Sequence, residues 1–193
     1  EATVFMGVPT YYTRLLQEKG LTREAVAHMR LFISGSAPLL PETFSEFRER
    51  TGHTLLERYG MTEGGMFTSN PLEGERRGGT VGFPLPGTEV RVVGDEDRPV
   101  GTGEIGHIQV RGDNVFSGYW QMPEKTQEEF TPEGFFRTGD MGRFDAEGYL
   151  AIIGRDKDLI ISGGLNVYPK EIEEAIDAMA GVAESAVIGL PHP

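Results

Sequence analysis

The stretch "RLFISGSAPLLPETFSEFRERTGHTLLERYG", residues 30–60, alternates apolar runs with loop and helix signals. "RLFIS" reads as a buried strand that runs into a loop of small residues. Pro41 then opens a helix that carries Phe44 and Phe47 and ends at Gly52. "HTLLERYG" reads as the next strand. Strand, loop, helix and strand in this order predict an α/β layer with parallel strands.

The same pattern extends toward the start of the chain. "PTYYTRLLQEKG", residues 9–20, places Tyr12, Leu15 and Leu16 on one helical face, and "LTREAVAHM", residues 21–29, reads as a second helix capped by Thr22. Composition changes near Asn70. From Gly78 to Gly154 the chain is rich in glycine and proline, with short alternating runs such as "TEVRVV" and "GHIQVRG", in which Val90 and Val92, and Ile108 and Val110, share faces. This predicts a β-rich subdomain with tight turns. A third zone follows, in which Pro169 starts a helix, Glu171, Glu173 and Glu174 favour its N-terminal dipole, and Ile172, Ala175, Ile176 and Met179 form an apolar stripe. The divisions expected are residues 1–77, 78–155 and 156–193, with the last boundary at Asp156 and Lys157.

Composition narrows the partners. Of 193 residues, 30 are acidic and 18 basic, a net charge of −12 with no basic stripe, which argues against nucleic acid. No apolar run approaches the ~18 residues of a membrane span, and "EATVFMGVPT" lacks the basic start of a targeting peptide. The chain has no cysteine, which removes disulfides and thiolate chemistry and suits a reducing compartment. His28, His53, His107 and His192 lack ligand spacing, so no zinc site is expected. Both ends read as cut, as in a piece of a longer protein.

Four segments carry candidate chemistry. In "ISGSAPL", Gly35, Ser36 and Ala37 would let a flat ligand lie against the backbone at the end of a strand; a connection that needs small residues for packing is the plain alternative. In "RYGMTEGG", residues 58–65, Tyr59 could stack on a base, Thr62 donate to a phosphate and Glu63 hold Mg²⁺, or the segment could be a core tyrosine before a polar turn. In "GFFRTGD", Asp140 could accept the vicinal hydroxyls of a ribose or merely stabilise its turn. In "GRDKDLIISGGLNVYP", Arg155 could reach phosphate or ribose, or form a surface ion pair.

Together and in order, "SGSAPL", "YGMTE", "GFFRTGD" and "GRDKDLIISGGLNVYPKEIEE" resemble successive signatures of the adenylate-forming superfamily: acyl-CoA synthetases, peptide-synthetase adenylation domains and beetle luciferases. The resemblance implies an αβ layer, a small distorted β-barrel and the start of a mobile α+β C-terminal domain. It implies activation of a small-molecule carboxylate with ATP and Mg²⁺ to an acyl-adenylate, then transfer to coenzyme A. On matching positions, Tyr59 would stack on adenine, Thr62 touch the α-phosphate, Glu63 hold Mg²⁺, Asp140 take the ribose hydroxyls and Arg155 reach ribose or phosphate. Gly35, Ser36, Ala37 and Pro38 would line the nucleotide and acyl side, with Arg58, Gly60 and Met61 also in the nucleotide site and Met61 shaping the acyl pocket. Asp156 and Lys157 would form a hinge, and Ser162, Gly163 and Gly164 would swing beside the pantetheine arm of coenzyme A.

Within the superfamily, "GVPTYYTRLL" and "TSNPLEGERRGGTVGFPLPGTEVRVV" are most similar to malonyl-CoA synthetases. A distal carboxylate needs a cation, for which Arg14, Arg76 and Arg77 are local candidates beside any residue upstream of this chain. Fatty- or aryl-acid ligases and adenylation domains are alternatives, as is an inactive nucleotide sensor. The resemblance places the phosphate loop and an assisting lysine outside these residues, so the piece alone is expected to be inactive. It implies a cytoplasmic protein, of the bacterial cytosol or alternatively the mitochondrial matrix.

Overall fold

The structure is a computed structural model that describes residues 2–162, 165–182 and 184–190. Its first layer is a mixed sheet in which β1 (Val4–Gly7), β2 (Leu31–Ser34) and β3 (Leu56–Met61) run parallel, and β4 (Gly65–Ser69) and β5 (Phe83–Pro84) join antiparallel in the order β1-β2-β3-β4-β5. All four residues of β2 are buried, as suits a strand covered on both faces. On one face lie α1 (Pro9–Gln17) and α2 (Pro41–Thr51), each with proline in its first turn. Tyr12, Phe32 and Phe47 pack edge to face there, with ring centroids 5.3 and 5.0 Å apart. The Tyr12 hydroxyl is satisfied by the Ile33 carbonyl at 2.5 Å. Leu31, Ile33 and Leu56 cluster on the opposite face.

Residues 22–29 form a series of turns rather than the helix expected. Thr22 does cap them, its hydroxyl accepting from the Ala25 amide at 3.2 Å. Helical pairing fails because the bonds alternate, Val26 to the Thr22 carbonyl but Ala27 to Glu24 and Met29 to Val26. So short a segment follows its anchors, Val26 and Met29, into the core instead of its own propensity.

The glycine-rich zone folds as an open antiparallel sheet of β6 (Thr88–Val93), β7 (Gly106–Gly112), β8 (Phe136–Phe144) and β9 (Leu150–Arg155), with α3 (Pro123–Glu129) inserted before β8. No closed barrel forms among the described residues. Val92, Ile108, Val110, Phe136 and Leu150 make its core together with Phe67 of β4, so the two sheets share packing. Beyond β9, a 3₁₀ turn at Asp156–Asp158 leads to the hairpin of β10 (Ile160–Ser162) and β11 (Leu165–Val167), then to α4 (Pro169–Asp177). The apolar stripe expected on α4 is only partly covered: Ile172 is 38% exposed and Met179, beyond the helix, 60%, while Ile176 is half-buried. No described helix is long and apolar enough to cross a membrane.

Candidate active site

Three elements converge on one cleft: the end of β2 with its loop, the middle of β3, and the paired strands β8 and β9, with the segment after β9 forming the far wall. Its cavity is about 830 Å³, within the range of small-molecule sites. Gly35, Ser36, Ala37 and Pro38 line it from the first loop, Arg58, Tyr59 and Gly60 from β3, and Asp140, Arg155 and Lys157 from the β-rich side. Ser36 holds a left-handed backbone, φ 68°, uncommon for a residue with a side chain and a mark of a loop held by its surroundings.

Asp140 and Arg155 face each other across β8 and β9, with Arg155 Nε 2.8 Å from Asp140 Oδ1. The Tyr59 hydroxyl donates to Asp140 Oδ2 at 2.5 Å. Burial pushes the Asp140 carboxyl up, opposed by the Tyr59 hydrogen bond and the Arg155 charge. Burial also raises Tyr59, and the adjacent carboxylate adds to the effect. Tyr59 takes this position through a register shift between Tyr59 and Gly60, where β3 and β4 approach closely. A side chain at Gly60 would place its Cβ 1.9 Å from the Gly65 carbonyl oxygen, so only glycine fits.

That shift also divides the "YGMTE" segment. Met61 and Glu63 line a separate cavity of about 280 Å³, with Asp156 on its rim and Arg155 and Lys157 bordering both spaces. Thr62 is exposed and lines neither, and neither does Ser162, in the β10 strand. Gly163 and Gly164 lie outside the described residues.

Sequence reading missed Glu57 and Lys170, which line the cleft, and the local cations it offered for a distal carboxylate lie elsewhere. Arg76 spends its guanidinium on the backbone carbonyls of Thr54, Pro71 and Leu72, and Arg77 pairs with Glu75, Asp145 and Glu147 over the Tyr149 ring. Neither lines the cleft, nor does Arg14 on α1. Arg58 does, and its guanidinium forms no ion pair among the described residues, with Nε buried and unpartnered. Buried polar atoms without partners are uncommon and call for an explanation. Three belong to residues of this cleft: Ser34 Oγ, Glu57 Oε1 and Arg58 Nε. The atoms themselves are covered by protein, while the residues that carry them border the cleft.

Glu57 is 6% exposed and its carboxyl is pushed up to about 8 by burial, against the opposing effects of the Gly79 amide and the Lys170 charge. Between its ordinary value of 4.5 and this one the folded chain holds a proton that the unfolded chain has released, so stability falls as pH rises through that window. Glu57→Gln cannot titrate. Its melting temperature relative to wild type should therefore climb by about 5 °C between pH 5 and pH 8.5. A difference that stays constant across this range would show that Glu57 titrates like an exposed carboxylate.

Among the described residues no three His, Cys, Asp or Glu side chains cluster as a metal site. Mg²⁺ needs none, since one or two carboxylates with substrate phosphates hold it. Glu63 fits that donor set: Tyr119 donates to its Oε1 at 3.1 Å, and Oε2 has no partner among the described residues.

A family model described as "AMP-binding enzyme" matches residues 1–120, ending ahead of Asp140 and Arg155. The malonate–CoA ligase of Arabidopsis thaliana is 45% identical over 197 residues, covering 97% of this chain and 32% of that protein. The crystal structure of ATP-bound MatB from Rhodopseudomonas palustris matches with a TM-score of 0.97 at 61% identity, over 100% of this chain and 38% of that one. A malonyl-CoA ligase in a ternary product complex with methylmalonyl-CoA and AMP matches at 0.75 and 44% identity, over 99% of this chain and 42% of that one. The chain spans about a third of the length of the curated relatives it matches. A family match over most of the chain, relatives alike from end to end of it, and a cleft of unpartnered polar groups beside an aspartate–arginine pair lead to one conclusion: this chain belongs to the AMP-binding enzyme family.

Proposed function

We propose that the full-length protein is an acid–CoA ligase that activates malonate with ATP and passes the malonyl group to coenzyme A. The observation that carries the substrate is Arg58, a cation without an anionic partner at the cleft wall beside Gly35–Pro38. A dicarboxylate brings a second anion that would complete it. The relatives named for malonate and malonyl-CoA support the same reading.

Asp140 accepts the two ribose hydroxyls, held in orientation by Tyr59 and Arg155 from either side. Tyr59 presents a ring face to adenine while Phe67 braces it at 5.7 Å, and Glu57 borders the same cleft. Thr62 contacts the α-phosphate. Glu63 holds Mg²⁺, which would neutralise charge on the phosphates when bound. The near carboxylate of malonate attacks the α-phosphorus and pyrophosphate leaves; the thiol of coenzyme A then attacks the acyl carbon and AMP leaves. Asp156 and Lys157 are the hinge between the two arrangements, with Ser162, Gly163 and Gly164 on the coenzyme A side. The three divisions 1–77, 78–155 and 156–193 follow from this reading.

ATP/pyrophosphate exchange by the full-length protein tests it, with malonate, methylmalonate, acetate and an aryl acid in parallel. Exchange with malonate is expected. Exchange with acetate or the aryl acid and none with malonate would overturn the substrate and leave the reaction class standing.

A further inference from the structure

The hairpin that carries Glu63 is held by a segment with no part in the signatures. The Phe116 amide donates to the Glu63 carbonyl at 2.7 Å, Asn114 Nδ2 donates to the Gly64 carbonyl at 2.7 Å, and the Tyr119 hydroxyl donates to the Glu63 carboxylate at 3.1 Å. Backbone and side chain of one residue are thus fixed from the same direction.

The segment is itself anchored. The Tyr119 ring packs edge to face on Phe116, 4.8 Å between centroids, and Phe116 packs the same way on Phe136 at the start of β8, the strand that bears Asp140. The Tyr119 amide donates to Thr126 Oγ1 of α3 at 2.9 Å. This closeness requires Gly118, at φ 145°, where a Cβ would lie 2.5 Å from Thr126 Cγ2. Every link from β8 to the Glu63 carboxylate is a packed ring or a hydrogen bond.

We propose that Tyr119 is a positioning residue for Glu63: its hydroxyl fixes Oε1 so that Oε2 is presented to the divalent cation of a bound nucleotide. The inference rests on the assignment of Glu63 as the metal-binding carboxylate. A glutamate on a hairpin otherwise samples many rotamers, and a site whose ligand is already oriented binds more tightly because less freedom is lost. Tyr119→Phe keeps the ring and its packing and removes only this bond.

The test uses the full-length protein and α,β-methylene-ATP, which cannot transfer its adenylyl group, with affinity measured by calorimetry across a Mg²⁺ series and in EDTA. Tyr119→Phe should bind the Mg²⁺-free analogue as wild type does, but require about tenfold more Mg²⁺ for the same gain in affinity, the loss of one hydrogen bond to a charged group. Glu63→Gln should lose the gain altogether. If Glu63→Gln loses it and Tyr119→Phe follows wild type, the positioning role is wrong and Glu63 stands. If Glu63→Gln keeps the wild-type Mg²⁺ dependence, the metal assignment fails and the inference falls with it. Equal weakening of Tyr119→Phe with and without Mg²⁺ would mark a merely structural tyrosine and also overturn it.

Discussion

Arg58→Met in the full-length protein is expected to lower kcat/KM for malonate by about a hundred- to a thousandfold, while the KM for ATP changes by less than about threefold. The substitution keeps much of the aliphatic stem and removes the charge. In wild type, Nε is buried without a partner, so part of the cost of desolvating the guanidinium is already met in the free protein, and an arriving carboxylate keeps more of the benefit of the pair. Such a pair is worth about 3–4 kcal/mol when one partner is removed. Acetate, which has no distal carboxylate, should be used no worse by the variant than by wild type. Comparing the two acids on one preparation decides the matter, and an equal fall for both would mean that Arg58 serves the fold or the nucleotide and not the second carboxylate.

The second large effect is expected at Asp140, where function and stability should move apart. Asp140→Asn should weaken ATP binding by roughly a hundredfold, about 2.7 kcal/mol, because two hydroxyls lose a charged acceptor. Its melting temperature should not fall. The carboxyl is buried and pushed up, so the fold tolerates its charge at a cost that a neutral amide avoids. The amide oxygen can still accept from Tyr59, and Arg155, with nearly half of its side chain exposed at 48%, can turn to water. Calorimetry for ATP beside a thermal melt checks both halves. A variant that melts well below wild type while binding ATP normally would make Asp140 a structural aspartate of its turn.

Elements were legible where punctuation and apolar pattern agreed. Pro41, Phe44, Phe47 and Gly52 mark α2, and the helix occupies Pro41–Thr51 with both phenylalanines buried. The α3 helix carries no apolar stripe and buries no residue, so the sequence "PEKTQEE" offered only a proline. Residues 22–29 had the cap and the spacing of a helix, but tertiary anchors at Val26 and Met29 set their path.

The site divides along the same line. Tyr59, Asp140 and Arg155 were named from separate segments, and the structure brings them within hydrogen-bonding distance. Their union depends on the pairing of β8 with β9 and on the shift beside Gly60, which no local pattern encodes. Glu57 reads from the sequence as an ordinary strand residue, because nothing in "LLERYG" says which way it faces. Arg76 and Arg77 looked like free cations, and only three-dimensional contacts reveal that carbonyls and carboxylates already occupy them.

A crystal structure of the full-length protein with a hydrolysis-resistant malonyl-adenylate analogue would show where each half of the substrate binds. The adenosine is expected in the larger cleft, with both ribose hydroxyls within hydrogen-bonding distance of Asp140, adenine against the Tyr59 ring, and the distal carboxylate on Arg58. Density for the analogue elsewhere, or in the cleft with its distal carboxylate held by another residue while Arg58 stays unpaired, would contradict this assignment.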